Sequence, residues 1–113
     1  MTEKTLRLKA KACLKRVEAR LQAGWTQGTF ARNSRGRPVR FDSPKATAFC
    51  LSGALQYELE MMEPDRHLRQ RLWILIVRAF EYFTGDSFVR FNDATDRTLD
   101  EVLTATRRTR RHL

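Results

Sequence analysis

Apolar side chains recur with a helical period in three long stretches, and this periodicity predicts most of the secondary structure. The clearest stretch is 5–23, where the apolar side chains fall on one face of a helix. Thr5 is the predicted N-cap, and Gly24 stands where a left-handed residue would end the helix. The apolar face comprises Leu6, Ala10, Cys13, Leu14, Val17 and Leu21.

Two further helices are predicted in the middle of the chain. Serine followed by proline is typical of a helix start, so the second helix is predicted to run from Ser43-Pro44 to about Met62. The third covers about 66–84 and is predicted to end at Gly85. This helix is apolar on nearly its whole circumference, which is typical of a helix that is central or covered by a partner.

Turn-forming residues separate the first two helices and predict a small hairpin. Residues 29–32 are predicted to pair with 38–41 around a turn at Asn33–Gly36. A two-stranded ribbon is marginally stable alone, so aromatic side chains are expected to anchor it to the helices. The predicted anchors are Trp25, Phe30 and Phe41.

The C-terminal part combines a turn, a last helix and a basic end. Residues 88–91 are predicted to be extended, followed by a turn. Thr98 and Glu101 have the spacing of a capping box, which starts the last helix at Leu99. The arginine-rich segment 107–113 is predicted to fray as a separate basic tail.

These elements predict a mainly α fold, with about four helices around one core and a short β-hairpin between helices 1 and 2. Residues 1–106 are expected to form a single helical domain, since 113 residues amount to about one domain. No apolar run is long enough for a membrane helix and no secretory h-region is present, so a cytoplasmic location is expected. Cys13 and Cys50 are then predicted to be reduced and structural.

Several short motifs in order resemble a bacterial and phage domain family of unknown function. They are Trp25-Thr26-Gln27-Gly28, then Cys50-Leu51-Ser52-Gly53-Ala54-Leu55, then Phe91-Asn92-Asp93, and finally Arg97-Thr98 before Glu101-Val102-Leu103. The resemblance covers about residues 6–106. It implies one-domain organisation and carries no activity that could be transferred to this chain.

The net charge of +9 concentrates in the first helix, the loop after it and the last seven residues, which suggests an anionic partner. In the first helix the basic residues flank both sides of the apolar stripe, as on an ordinary surface helix. The hairpin and tail arginines are the better candidates for phosphate contacts with nucleic acid. They are Arg32, Arg35, Arg37, Arg40, Arg107, Arg108, Arg110 and Arg111.

A polar site is the next candidate, formed by Gln27, Asn92, Asp93 and Arg97, with Asp96 and Arg32 nearby. The alternative is ordinary turn chemistry, in which asparagine and aspartate bond to their own backbone before a helix. The sequence favours the alternative, because turns before helices commonly contain these residue types.

No residue set predicts catalysis, a cofactor or a metal. His67 and His112 have no recognisable partner, and Cys50 falls on an apolar helix face where a thiol is inert. A non-enzymatic accessory or protein-interaction module is therefore the first hypothesis. Nonspecific nucleic-acid binding through the hairpin and tail is the alternative, and phosphate-driven binding would be recognised by its salt dependence.

Self-association is the form of interaction that the third helix suggests. Ile74 falls among polar residues on that helix, and Trp73 and Val77 border the same side. This strip is expected to be covered either by a second copy in a two-fold dimer or by another protein. The alternative is that the hairpin covers it.

Overall fold

The computed structural model describes all 113 residues as five α-helices and three two-residue strands. In chain order the elements are α1 (Glu3–Ala23), β1 (Ala31–Arg32), β2 (Pro38–Val39), β3 (Ala48–Phe49), α2 (Leu51–Met62), α3 (Arg66–Thr84), α4 (Phe88–Asp93) and α5 (Leu99–Arg111). The mainly helical class and the hairpin are confirmed. A fifth helix and a third strand are present in addition.

Helix α1 is the central element and packs against α2, α3 and α5. Its apolar face is buried as the periodicity predicts. The predicted N-cap is wrong, whereas the predicted end at Gly24 is right in position and wrong only in conformation. Thr2 is the N-cap, because its hydroxyl accepts the amide hydrogen of Thr5 at 3.1 Å. Gly24 is extended rather than left-handed, and its carbonyl accepts the amide of Phe49 at 2.9 Å.

The three strands form one antiparallel sheet with the order β2-β1-β3. Ala31 lies opposite Val39 on one side and Phe49 on the other. The predicted pairing of 29–32 with 38–41 is thus confirmed for the two residue pairs nearest the turn. Trp25 also forms a parallel bridge with Phe49, so the sheet is tied to the end of α1.

Helix α2 begins seven residues later than predicted from Pro44, at Leu51 with Cys50 as its N-cap. The Ser43-Pro44 signal produces only a turn, in which the Ser43 hydroxyl accepts the amide of Lys45. The backbone then leaves helical geometry because Thr47 donates to the carbonyl of Arg32 and Phe49 donates to that of Gly24. Sheet pairing therefore overrides the local helix start.

Helix α4 occupies the segment predicted to be extended. Ser87 caps it by accepting the amide of Arg90 at 3.1 Å. Phe88 and Phe91, three residues apart, both pack edge-on against Phe80 of α3, at centroid distances of 4.9 and 5.2 Å. Residues three apart lie on the same face of a helix but on opposite faces of a strand. Both rings can therefore pack against Phe80 when the segment is helical, and these contacts favour helix over strand.

Helix α5 starts with the predicted capping box between Thr98 and Glu101. It continues to Arg111, so residues 107–111 are helical rather than frayed. Thr109 is fully buried, and Arg107 and Arg110 both bond to the carboxylate of Glu18 on α1, at 3.2 and 2.6 Å. The fraying prediction is wrong because tertiary contacts hold this segment: Thr109 is buried, and the buried Glu18 carboxylate bonds to two of its arginines.

One cluster of 18 buried apolar residues forms the core, and α1 and α2 contribute most of it. Helix α3 contributes only Leu72, Ile76 and Phe80 to the fully buried set, so it is less central than its composition predicts. Its end at left-handed Gly85 is as predicted. None of the five helices combines the length and the apolar character needed to cross a membrane.

Candidate functional site

Asn92 joins three separate parts of the chain through its side-chain amide, and the residue is 1% exposed. Its Oδ1 accepts the indole N–H of Trp25 at 2.8 Å and the backbone amide of Leu51 at 3.1 Å. Its Nδ2 donates to the carbonyl of Thr26 at 3.2 Å and to the carboxylate of Asp93 at 2.8 Å. One side chain thereby holds α4 against the end of α1 and the start of α2.

Gln27 and Gly28 extend this connection along the loop after α1. The Gln27 side-chain amide donates to the carbonyls of Asn92 and Ala94, at 2.8 and 3.0 Å. Gly28 has a positive φ of 79°, a conformation that favours glycine, and its amide donates to Oδ1 of Asp93 at 3.0 Å. The loop is therefore fixed against the C-terminal end of α4.

A cleft of about 330 Å³ lies between this loop, the start of α2 and one side of α4. We call it the Asn92 cleft. Phe30 and Val89 are large apolar side chains at its edge, and they are 49% and 54% exposed. Its full lining consists of Gly28, Thr29, Phe30, Cys50, Ser52, Val89, Asn92 and Asp93.

Two polar groups in the cleft have bonding capacity that the chain does not use. Ser52 is only 5% exposed and lines the cleft, and its hydroxyl forms no hydrogen bond within the chain. Asp93 accepts two hydrogen bonds through Oδ1, from Gly28 and Asn92, whereas its Oδ2 accepts none. Both groups are thus available to a ligand in the cleft.

The Cys50 thiol lies in the same cleft as the N-cap of α2, where its sulfur accepts the amide of Gly53 at 3.3 Å. Burial raises the pKa of this thiol, and the nearby Asp93 carboxylate adds to the effect. Burial also raises the pKa of the Cys13 thiol, to about 12. Both cysteines are free and buried, and both are protonated at neutral pH.

The structure brings together three of the four residues predicted as a polar site, namely Gln27, Asn92 and Asp93. Arg97 is directed elsewhere, because its guanidinium lies 3.8 Å from the ring centroid of Phe91 and donates to the Phe91 carbonyl at 2.8 Å. The alternative of turn chemistry fits Asp96, which is left-handed with φ 67°. It is wrong for Asn92, which is helical and buried.

The arginines predicted to contact phosphate differ in how much of their charge is free. Arg32 is used internally, donating to the Thr26 hydroxyl and to the carbonyls of Gln27 and Gly36. Arg40 pairs with Asp42 at 3.0 Å, and Arg107 and Arg110 pair with Glu18 as described above. Arg35, Arg37, Arg108 and Arg111 form neither an ion pair nor a side-chain hydrogen bond within the chain.

Arg35 and Arg37 line a second surface depression together with Lys45. It encloses about 610 Å³ and its lining contains no carboxylate; the other lining residues are Asn33, Ser34, Pro44 and Thr47. The Asn33 side chain accepts the amides of Arg35 and Arg37, both at 3.0 Å, and so holds the backbone of the turn in place. Three positive charges therefore surround one depression.

The residues predicted as an interface on α3 are partly exposed. Ile74 is 41% exposed, and Trp73, half-buried, packs edge-on against Phe88 at a centroid distance of 6.1 Å. Trp25 bonds to Asn92 and Phe30 borders the Asn92 cleft, so neither covers Ile74. The alternative in which these hairpin aromatics bury Ile74 is wrong, and dimerisation stays a prediction.

Sequence reasoning missed Ser52 and Val89, and it predicted Phe30 as an anchor of the hairpin on the helices, whereas Phe30 is 49% exposed. One usable signal was the glycine in the motif Cys50-Leu51-Ser52-Gly53. A Cβ on Gly53 would overlap the carbonyl of Phe30, so this glycine lets the hairpin lie against the start of α2. The exposure of Phe30 and Val89 could not be predicted from the pattern of apolar positions, because that pattern does not distinguish buried from exposed apolar side chains. No group of three or more His, Cys, Asp or Glu side chains is placed to hold a metal ion.

The fold and the cleft define a small helical domain with a minimal antiparallel sheet and a polar-apolar cleft beside the start of α2. The chain belongs to the family of unknown function DUF6197, whose family model matches residues 6–112. No curated protein and no solved structure matches the chain. The match agrees with the resemblance found in the sequence in its extent and in the unknown function of the family.

Proposed function

We propose that the chain is a non-enzymatic binding module and that the Asn92 cleft is its binding site. The observation that carries the proposal is the placement of two exposed apolar side chains, Phe30 and Val89, beside a hydroxyl without a partner on a buried residue. Exposed apolar side chains that border a cleft are typical of ligand and partner sites. The hydroxyl of a buried serine is normally hydrogen-bonded, and Ser52 lines the cleft, where a ligand can supply that bond.

Binding explains the chemistry of the cleft better than catalysis. A nucleophilic hydroxyl or thiol needs a neighbouring base or a lowered pKa. The one possible base in the cleft is the Asp93 carboxylate, and it forms no hydrogen bond to Ser52 or Cys50. The pKa of the Cys50 thiol is raised, not lowered. The hydrogen bonds of Asn92 also fix the cleft walls in advance of binding, which lowers the entropic cost of capturing a ligand.

A fragment screen monitored by ¹H–¹⁵N correlation spectra tests this proposal. Small polar-apolar fragments are expected to shift the amides of Gly28, Phe30, Ser52 and Val89. A Val89→Lys variant should lose these shifts, since it places a charged side chain at the edge of the cleft. Met61→Lys is the matched control on another exposed apolar residue of a helix, and it should bind fragments as the wild type does. Fragment shifts that cluster away from the cleft would contradict the proposal.

Nonspecific binding of a nucleic-acid backbone is a second candidate function, supported by the depression around Arg35, Arg37 and Lys45. These three side chains are exposed, form no ion pair, and have no carboxylate beside them in the depression. Such a site would bind phosphate without reading sequence, because no base-reading motif accompanies it. This candidate rests on a smaller basic surface than the eight arginines considered from sequence.

The salt dependence of binding tests the second candidate. Replacing Arg35, Arg37 and Lys45 with alanine is expected to reduce the slope of log K against log salt by about 0.9 for each duplex phosphate that the variant no longer binds. The measurement is fluorescence anisotropy of a labelled duplex over a salt series. Alanine at Arg66, Arg71 and Arg78 of α3 removes the same charge from exposed positions and serves as the control. An equal decrease of the slope in both variants would mean that binding depends only on the net charge of the protein, and it would contradict a phosphate site at this depression.

A further inference from the structure

We propose that the Asn92 cleft binds a positively charged ammonium or guanidinium group carried on an alkyl stem. This inference rests on the proposed function and names the chemistry of the ligand. A lysine or arginine side chain of a partner and a free aliphatic amine share this chemistry. The cleft volume of about 330 Å³ is at the lower end of the range for small-ligand sites, which suits a single side chain or a small amine.

The charge of the cleft is opposite to that of the protein. The chain carries a net charge of +9, yet the one charged side chain that lines the cleft is the carboxylate of Asp93. No lysine or arginine side chain is among the lining residues to neutralise it. A cation is therefore the complementary ligand.

The Asp93 carboxylate is also held in place for a ligand. The amide of Gly28 and the Nδ2 of Asn92 both donate to Oδ1, and the latter group is buried. Oδ2 accepts nothing from the chain and can take a charge-assisted hydrogen bond from an ammonium or guanidinium. The Ser52 hydroxyl offers a second acceptor for the same donor-rich group.

The apolar edge of the cleft suits the stem. Phe30 and Val89 are about half exposed, and methylene groups that pack between them would remove apolar surface from water on both sides. The Phe30 ring can in addition attract a cation over its face. Lysine and arginine side chains combine an apolar stem with a charged end in this way.

An anion is the alternative, because a helix N-terminus attracts negative charge. The first turn of α2 has few free backbone amides that could donate to an anion. The amide of Leu51 donates to Asn92, and that of Gly53 donates to the Cys50 sulfur. Because these two amides already donate within the chain and the Asp93 carboxylate repels negative charge, an anionic ligand is disfavoured.

The test compares three probes of matched stem, n-butylammonium, n-butanol and butyrate, by shifts of the cleft amides in ¹H–¹⁵N spectra. We expect n-butylammonium to bind tightest, and Asp93→Asn to weaken it about tenfold while leaving n-butanol unchanged. Asparagine keeps the side-chain shape and an oxygen for the Gly28 amide. Asp100→Asn removes one exposed charge from α5 and should leave all three probes unaffected. Urea unfolding of each variant verifies that it is folded.

The outcomes separate this inference from the proposed function. Tighter or equal binding of n-butanol or butyrate at the cleft amides would overturn the ligand class and keep the cleft as a binding site. Absence of shifts at the cleft from every probe and from the fragment screen would overturn both. A further comparison uses Nα-acetyl-lysine methylamide, which keeps the side-chain ammonium group, and n-butylammonium. Tighter binding of the former supports a side chain of a partner as the source, and tighter binding of the latter supports a free amine.

Discussion

Replacing Asn92 with alanine is expected to lower the free energy of unfolding by roughly 3–5 kcal/mol. The substitution removes four hydrogen bonds made by one buried amide. It leaves the buried Leu51 amide and the partly buried Trp25 indole N–H and Thr26 carbonyl without that partner. Each buried polar group that is deprived of its partner costs about 1–3 kcal/mol. Urea unfolding followed by circular dichroism measures the decrease.

Asn33→Ala is the matched control for this prediction. Asn33 also accepts two backbone amides through its side chain, but it does so in an exposed turn where water can replace the missing oxygen. We expect a decrease of about 1 kcal/mol or less there. If the two alanine variants proved equally stable, Asn92 would not be the residue that holds the cleft together.

The second large effect is expected from Gly53→Ala in the first turn of α2. Alanine normally stabilises a helix relative to glycine by up to about 1 kcal/mol. Here the added Cβ would lie well inside van der Waals distance of the Phe30 carbonyl, a backbone group that cannot rotate away. That carbonyl also accepts the amide of Cys50 at 3.1 Å. We expect the free energy of unfolding to fall by roughly 3 kcal/mol, with the sign opposite to helix propensity.

Thermal and urea unfolding of Gly53→Ala measure this decrease, and Gly36→Ala provides the comparison. Gly36 has a positive φ of 76° but open space around its Cα, so alanine there should cost only about 1 kcal/mol from backbone strain. The ¹H–¹⁵N spectrum of Gly53→Ala should also show shifts at residues 29–31 and 50–52. A neutral or stabilising effect would mean that the hairpin does not lie tightly against α2.

The helical elements show where local sequence patterns suffice. The buried face of α1, the left-handed Gly85 and the capping box of Thr98 and Glu101 were all predictable. Each depends on residues within about one helical turn of one another, so the sequence contains both partners of the interaction. Gly24 and Ser43 show the opposite case. Each carries a local signal that the backbone pairing of residues 47–49 with distant segments overrides.

The candidate site shows the same division. Grouping Gln27 with Asn92 and Asp93 was possible from their residue types, but the bonds between them connect positions 65 or more residues apart. Three other features could not be predicted from residue types. They are the exposure of Phe30 and Val89, the free hydroxyl of Ser52, and the pairing of Glu18 with Arg107 and Arg110. Each of these features depends on what a distant segment places beside the residue.

The sequence by itself determined the helical class, the basic charge and the positions of most helices, because periodicity and capping act over a few residues. The tertiary structure alone decided which polar residues became buried links and which apolar ones stayed exposed. Burial and hydrogen-bond partners are properties of the packed chain, and a long-range contact such as that of Asn92 with Trp25 has no local signature. The Asn92 cleft therefore exists only where three distant segments meet.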